Sequence, residues 1–273
     1  MEIERVWAVY WSATGTTRRV VEAVSDGLAG ALGLPVETWD FTLPAGRAGW
    51  PDFGAAGAVV FGVPTYAGRV PNVLLKHLGT LAGGGAAAVP VVLFGNRNFD
   101  DSLIELRDLL SDHGFRPFAG AAFVGEHSFS TVLAAGRPDA EDLALAAAFG
   151  QRAAEKLLNA GADGPAVEVE GTPRPYRPYY QPRDRRGTPV NILKVKPLTS
   201  DACDRCGLCA RVCPMGSIDP EDVANYVGIC IKCGSCVKKC PRGAKYYDDP
   251  GYLYHKTELE EGYGRRASVR TFL

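Results

Sequence analysis

Eight cysteines, all between positions 203 and 240, are the residues of this 273-residue chain whose type and spacing most directly predict chemistry. They form two runs of one pattern, Cys-x2-Cys-x2-Cys-x3-Cys-Pro, and each cysteine of the second run lies 27 residues after its counterpart. The runs comprise Cys203, Cys206, Cys209 and Cys213, then Cys230, Cys233, Cys236 and Cys240. Gly207 and Gly234 repeat with them. The sequence therefore contains an internal duplication and predicts two similar half-modules.

The spacing within each run is typical of iron–sulfur ligation. Three thiolates at i, i+3 and i+6 wrap one corner of a cubane through a tight loop, and the fourth cysteine, followed by proline, ligates the other cluster of a pair. Structural zinc has no use for the third cysteine of each run, and disulfides do not suit a chain without a secretion signal. The sequence predicts two 4Fe-4S clusters, one on Cys203, Cys206, Cys209 and Cys240, the other on Cys230, Cys233, Cys236 and Cys213.

Composition and charge narrow the class of protein. With 46% hydrophobic and 22% charged residues and a net charge of -1, the chain gives no overall reason to expect nucleic acid or membrane partners. The charge is uneven: residues 1–160 carry 12 Lys/Arg against 17 Asp/Glu, and residues 161–273 carry 18 against 14. The acidic N-terminus and the absence of a long apolar run predict a cytoplasmic protein with no membrane span. Opposite net charges favour docking between two modules.

The N-terminal half alternates short apolar strands with amphipathic helices. Strands are predicted at 3–11, 36–41, 57–63, 88–95 and 119–125, and helices at 20–32, 72–81, 101–113 and 139–159. This alternation predicts an α/β domain, a five-stranded parallel sheet with helices on both faces. We divide the chain into this domain at 1–162, an extended connector at 163–194, a small α+β cluster domain at 195–248 and a tail at 249–273.

The turn after the first strand is a candidate phosphate site, because such sheets bind ligands at the carboxyl ends of their strands. It comprises Ser12, Thr14, Gly15, Thr16 and Thr17. Its hydroxyls and free backbone N–H groups at a helix N-terminus form a nest for an anion. Without the lysine of a nucleoside triphosphate loop or the spaced glycines of a dinucleotide site, the turn suits one terminal phosphate. A helix cap with no ligand is the alternative.

Two further turns at the same edge are candidates for holding a flat redox-active ring. Pro64, Thr65, Tyr66, Ala67 and Gly68 follow the third strand, and Gly95, Asn96, Arg97, Asn98 and Phe99 follow the fourth. Each turn offers an aromatic side chain and exposed backbone, which can stack on a ring and reach its heteroatoms. The alternative for Tyr66 or Phe99 is simple packing within the domain, with no bound ring. After the fifth strand, His127 is a candidate for a cofactor-edge or interdomain contact.

These motifs carry a resemblance to known families. The first 160 residues resemble a flavodoxin, since Ser-x-Thr-Gly-x-Thr at 12–17 matches that family's FMN phosphate loop, with Thr16 where asparagine is usual. The whole chain resembles the flavodoxin–ferredoxin fusion proteins of anaerobic bacteria, on the segments 64–71, 95–101, 125–128 and 136–139 as well as the cysteine runs. The resemblance implies FMN, two 4Fe-4S clusters and electron exchange with redox proteins: a ferredoxin, a reductase or an acceptor enzyme.

The expected function is electron transfer that links two-electron and one-electron partners, with no catalytic residue predicted. The alternative is a flavin-dependent reductase of a small organic acceptor, a quinone or an enone, with the clusters feeding FMN. Two further classes of function are a redox sensor, in which the clusters would report oxygen or iron, and a scaffold that binds no FMN. No nicotinamide-binding domain is visible, which argues against NAD(P)H as direct donor, and the lack of a separate substrate domain favours the carrier.

The connector is rich in proline, arginine and tyrosine and is expected to be extended. A flexible tether is one interpretation. We favour the other, in which Tyr176, Tyr179 and Tyr180 lie along the N-terminal domain and fix the cluster domain near the flavin. No pattern in the tail predicts its position.

Overall fold

A computed structural model describes residues 3–273. The strands are β1 (Arg5–Tyr10), β2 (Val36–Asp40), β3 (Gly57–Pro64), β4 (Ala87–Phe94), β5 (Arg116–Pro117), β6 (Gly120–Val124), β7 (Leu198–Thr199), β8 (Lys245–Tyr246) and β9 (Arg270–Phe272). The helices are α1 (Thr16–Leu32), α2 (Asn72–Leu78), α3 (Ser102–Asp112), α4 (Ala140–Ala160), α5 (Leu208–Arg211), α6 (Ser235–Lys238) and α7 (Pro250–Gly262).

The main sheet has the order β2-β1-β3-β4-β6-β9, with the two-residue β5 beside the start of β4. β1 to β6 all run parallel. Every residue of β4 is buried, as a parallel sheet with both faces covered requires. One core lies on each face of the sheet. The α/β prediction is confirmed, and the register aligns the carboxyl ends of β1, β3, β4 and β6 along one edge.

The duplicated cysteine runs fold into two like half-modules. α5 begins after Gly207 and α6 after Gly234, and both glycines adopt left-handed backbone conformations, with φ of 69° and 74°. A side chain at such a φ is strained, which explains why each half has glycine there. β7 and β8 pair antiparallel and join the two ends of this region.

The connector is bound to the N-terminal domain rather than loose. The Asp101 carboxylate is fully buried and accepts hydrogen bonds from the backbone N–H groups of Thr172 (2.9 Å) and Arg177 (2.8 Å) and from the Arg177 guanidinium. Burial alone would raise the pKa of Asp101, but these hydrogen bonds lower it to about 2. The Tyr179 hydroxyl donates to the Val70 carbonyl at 2.8 Å. The interpretation in which the tyrosines lie along this domain is confirmed.

The tail, which had no predicted position, completes the main sheet. β9 pairs antiparallel with β6, so an antiparallel edge strand is added to the five parallel strands that were predicted. α7 packs beside the end of β6, where Tyr252 contacts Phe129 with ring centroids 4.7 Å apart. The Asn96 side chain holds the segment between α7 and β9: it donates to the carbonyls of Tyr263 and Arg265 and accepts from the Ala267 N–H.

We expect Asn96→Ala to release the tail. Each hydrogen bond contributes about 0.5–1.5 kcal/mol net, and alanine at the left-handed φ of 67° costs roughly 1–2 kcal/mol more. The free energy of unfolding in urea should fall by about 3–6 kcal/mol, and trypsin should cut faster after Arg265. Asn98→Ala is the control, because the Asn98 side chain accepts only from the nearby Asp100 N–H. Equal trypsin protection in the two variants would contradict this role for Asn96.

Candidate redox-cofactor sites

The eight cysteines, all free thiols, line two separate cavities in the cluster domain. Cys203, Cys206, Cys209 and Cys240 line one, which we call the outer site. Cys213, Cys230, Cys233 and Cys236 line the other, which we call the inner site. Each cavity thus receives three cysteines from one run and the fourth from the other, the same crossed sets that the spacing predicts.

The chemistry of these donor sets fits a cluster at each site. Burial raises the pKa of the Cys233 and Cys236 thiols to about 12, and bound iron would displace their protons. The backbone N–H of Ser217 donates to Cys213 Sγ at 3.3 Å, and that of Ala244 donates to Cys240 Sγ at the same distance. These equivalent bonds orient one thiol at each cavity, and bonds of this kind help to set cluster potentials.

A cleft opens where β1, β3, β4 and β6 end, at the edge where ligands bind in such sheets. It is lined by Trp11, Ala13, Thr14, Thr16, Thr17, Pro64, Thr65, Tyr66, Leu93, Phe94, Gly95, Gly125, Glu126, His127, Ser128 and Cys233. All but the last come from the N-terminal domain. The three turns singled out in the sequence each contribute residues to this cleft.

The first turn brings some of its predicted residues to the cleft. Thr14 and Thr16 lie together in the cleft, with their hydroxyl oxygens 3.5 Å apart. Gly15 precedes α1 with a φ of 96° and makes no side-chain cap, so helix N–H groups are left free at this end. Ser12 has a different role from that expected: its hydroxyl accepts the Arg18 N–H at 3.0 Å and closes the turn. The rest of this turn forms the N-terminus of α1, which is lined by hydroxyls and is open to the cleft.

The second turn divides between the cleft and the connector. Pro64, Thr65 and Tyr66 line the cleft, and the Tyr66 ring meets the Trp11 ring edge-on at 5.9 Å. Ala67 lies outside the cleft and accepts the Tyr180 N–H at 2.8 Å through its carbonyl. Gly68 also lies outside, packed so tightly on Asp100 that a Cβ would come within 2.6 Å of its carboxylate.

The third turn differs most from expectation, since Gly95 alone of its predicted residues lines the cleft. Phe99 is buried and packs on Phe94 with centroids 5.6 Å apart, so it offers no stacking face. Arg97 pairs with Asp100 and covers the Tyr180 ring. Asn96 holds the tail, and Asn98 accepts the Asp100 N–H. The side chains of this turn anchor the connector and tail, which its sequence alone does not reveal.

His127 lies in the cleft as a neutral donor. Burial, and then the nearby His255, Lys238 and Arg97, lower the pKa of His127 to about 3. Its Nδ1 accepts the Phe129 N–H at 3.1 Å, so the ring proton is on Nε2. Its neighbours Glu126 and Ser128 also line the cleft. The signal in the sequence that points to them is their position directly after the fifth predicted strand.

Trp11 provides the test of whether this cleft fits an organic cofactor. Its side chain is fully buried and lines the cleft, yet the indole N–H has no hydrogen-bond partner among residues 3–273. A buried donor without an acceptor costs about 1–3 kcal/mol. A flavin, with acceptor atoms around a flat ring and a phosphate for the hydroxyl turn, fits this set of groups.

The inner site and the cleft share a wall. Cys233 lines both cavities and is buried in the same core as Trp11 and Phe94. The adjoining α6 is fastened to the first turn, because the Ser235 hydroxyl and the Lys239 ammonium both donate to the Ala13 carbonyl at 2.8 Å. The sequence does not predict that Cys233 lies at the cleft, because its position there depends on how the two domains pack together.

Further contacts hold the domains together around this shared wall. Lys238 pairs with Glu126 and donates to the Ser130 carbonyl at 2.7 Å. Arg47 donates to the carbonyl of Pro214, which follows a cysteine of the inner site, at 2.6 Å. The Lys238–Glu126 pair joins a basic and an acidic half, as the charge asymmetry suggests. Among the described residues no helix combines the length and apolarity that crossing a bilayer requires.

Residues 199–245 match the family described as a 4Fe-4S dicluster domain. No curated protein matches the chain. Among solved structures, a flavodoxin from the domain Archaea is similar over 57% of this chain and 99% of its own, with 16% identity and a TM-score of 0.41. Oxidised flavodoxin 2 from Bacillus cereus is similar over 56% of this chain and 99% of its own, with 17% identity and a TM-score of 0.41.

The strand order identifies the N-terminal fold. With the short β5 set aside, the parallel strands follow the order 2-1-3-4-5, which is the flavodoxin-like order of a doubly wound sheet. The cleft lies at the β1 and β3 ends, where that order reverses. The chain therefore joins a flavodoxin-like α/β domain to a 4Fe-4S dicluster domain, the architecture of a flavodoxin–ferredoxin fusion.

Proposed function

We propose that this electron-transfer protein binds FMN in the cleft and one 4Fe-4S cluster at each of the outer and inner sites, and that it passes electrons between them within one chain. The observation that carries the proposal is Cys233, which lines both the inner site and the cleft. A ligand of the inner cluster would then also be part of the flavin's surroundings. Bound FMN supplies the exchange of two electrons in single steps.

FMN is favoured over larger flavin nucleotides by the first turn. Thr14 and Thr16 place two hydroxyls beside the free N–H groups of α1, which suits one terminal phosphate. The turn contains no lysine, and the cleft lining contains neither lysine nor arginine for a second phosphate. Trp11 and His127 each contribute a ring N–H at the cleft for the acceptor atoms of the isoalloxazine.

The outer site is the proposed contact with external partners. Cys206 is exposed, whereas Cys233 and Cys236 at the inner site are buried. Exposed arginines lie beside the outer cysteines: Arg205, Arg211 and Arg242. A one-electron carrier protein that docks here would exchange electrons with the outer site, and the inner site would relay them to the cleft.

The alternative, reduction of a quinone or an enone, requires a small acceptor to reach the flavin. The cleft lining supplies a route to the flavin that needs no small acceptor, because Cys233 belongs to both the cleft and the inner site. The carrier role is therefore the better-supported function. A steady-state screen of the holoprotein with reduced ferredoxin and candidate acceptors separates the two, since turnover of a small acceptor would favour the reductase.

We expect flash reduction of the clusters to be followed by flavin reduction at a rate independent of protein concentration. Salt should slow it little, because the Ser235 hydroxyl bond to Ala13 is buried, whereas exposed charge pairs are screened as the Debye length falls from about 10 Å at 0.1 M to about 3 Å at 1 M. A rate proportional to protein concentration would mean that electrons pass between chains and would exclude a built-in relay.

The duplication offers a matched pair of variants for this test. A Cβ at Gly234 would lie 2.4 Å from the Ser128 carbonyl of the other domain, whereas at Gly207 it meets only the end of the Arg211 side chain at 3.1 Å. Both glycines have positive φ, so alanine strains the two loops alike. Gly234→Ala should therefore slow flavin reduction, and Gly207→Ala should not, in preparations of equal iron content. Equal rates would contradict a relay that depends on this contact.

A further inference from the structure

The inner site contains one buried hydroxyl that lacks a hydrogen-bond partner within residues 3–273, and the described lining of the outer site contains no hydroxyl side chain. Tyr247 lines the inner site, and its hydroxyl is buried without a hydrogen-bond partner among the residues that the structure describes. The residue 27 positions earlier is Pro220, so the duplication supplies no counterpart. The described lining of the outer site contains no tyrosine. The hydroxyl is thus a specific addition to the inner half.

The Tyr247 ring is held in place. It stacks on Tyr252 of α7, with centroids 3.9 Å apart and planes 19° from parallel. The surrounding wall includes the apolar Ile218 and Ile231. A buried hydroxyl with no acceptor is unfavourable, so the position points to an acceptor that the loaded protein supplies.

We propose that the Tyr247 O–H donates a hydrogen bond to a sulfur of the inner cluster and raises the reduction potential of that cluster above the value it would have without the bond. The inference rests on the proposed function, which places a cluster at each site. Hydrogen bonds to cluster and thiolate sulfurs are a recognised control of potential. A donor stabilises the reduced form more, because that form carries one more negative charge.

Such a bond would favour electron movement toward the inner site. With a cluster at each site, an electron passed from the outer to the inner site would oxidise the outer cluster by one electron and reduce the inner one by one. Tyr247 keeps its proton in the process, and no other atom is transferred. The cluster whose potential the bond raises is the one at the site that shares Cys233 with the cleft.

The test is Tyr247→Phe in the full-length holoprotein, with the potential of each cluster measured by titration under anaerobic electron paramagnetic resonance. The equilibrium constant for reducing one cluster should fall about tenfold, which is a shift of about 59 mV to lower potential for a one-electron couple. The other cluster should be unchanged. Tyr226→Phe is the matched control: Tyr226 lines the same cavity, but its hydroxyl already donates to the Pro197 carbonyl at 2.8 Å.

Unchanged potentials in Tyr247→Phe, or an equal shift in Tyr226→Phe, would overturn the inference. If Tyr247→Phe does not retain its iron, 3-fluorotyrosine at position 247 keeps the ring and strengthens the donor, so the inner potential should rise; an unmoved potential would again overturn it. Failure of the proposed function is distinguishable, because the unmodified protein would then lack the signals of two clusters. Two clusters with unshifted potentials would contradict only the role of Tyr247.

Discussion

Cys240→Ser should remove the outer cluster and leave the inner one, so iron should fall from about eight to about four atoms per chain in anaerobically purified protein. The reason is that Cys240 belongs to the second run in sequence but lines the cavity of Cys203, Cys206 and Cys209. Iron analysis and electron paramagnetic resonance measure the loss, and Cys206→Ser should reproduce it. An intact outer cluster in Cys240→Ser would show that this ligand assignment is wrong.

The reciprocal change, Cys213→Ser, should remove the inner cluster instead, because Cys213 lines the cavity of the second run. Iron content should again halve, so iron alone does not distinguish the two variants. Flavin reduction after a flash does: it should continue in Cys240→Ser and be lost in Cys213→Ser. The opposite result would place the outer rather than the inner cluster beside the flavin.

Thr14→Glu should leave the protein without FMN and with its full iron content. The Thr14 hydroxyl lies with that of Thr16 at the open N-terminus of α1, so glutamate puts negative charge against the phosphate. Two unit charges about 4 Å apart repel by about 4 kcal/mol at an effective dielectric of about 20, which is nearly a thousandfold in Kd. Flavin content of the purified variant and titration of the apoprotein with FMN are the measurements.

Thr14→Ser is the control for this variant, since it keeps the hydroxyl and should keep FMN. Riboflavin, which has no phosphate, should bind Thr14→Glu and the unmodified protein equally. Equal affinity of the unmodified protein for riboflavin and FMN would contradict the phosphate assignment. These binding measurements require the full chain, because a fragment of residues 1–165 lacks β9 and the side of the cleft that Cys233 forms.

The parts of the structure that were predictable are those in which local sequence and packing agree. β3 and β4 are apolar throughout because both faces of the sheet are covered, so their sequences report the architecture directly. The cysteine runs are equally informative, since cluster geometry constrains the spacing of the ligands. The threonine turn was visible because hydroxyls, glycine and a following helix occur together.

The tail was not predictable, because its position depends on partners distant in sequence. β9 has three residues, too few for an alternating pattern, and its place is set by the free edge of β6. α7 buries Tyr252, His255 and Leu259 along one side, but one of these is a histidine and the apolar Leu253 is exposed, so the sequence does not reveal that face. Its neighbours follow β6, about 120 positions earlier.

The third turn shows a different limit. Its asparagines and Phe99 are residue types that suit a cofactor, and the turn does lie at the right edge of the sheet. The direction of each side chain, however, is set by what packs on the turn. Asn96 meets the tail and Arg97 meets Tyr180 of the connector. Cys233 reaches the cleft for the same reason, through the packing of one domain on another.

The position of β9 has a consequence for how the protein is made. Residues 270–272 follow the cluster domain along the chain, so the flavodoxin-like sheet remains unfinished until the whole cluster domain has been synthesised. During that interval β6, a fully buried strand in the finished fold, presents an unpaired edge. A chain truncated before Arg270 would keep all eight cysteines and the entire cleft lining. It would nevertheless expose β6 for pairing with another nascent chain, and aggregation would be the expected phenotype.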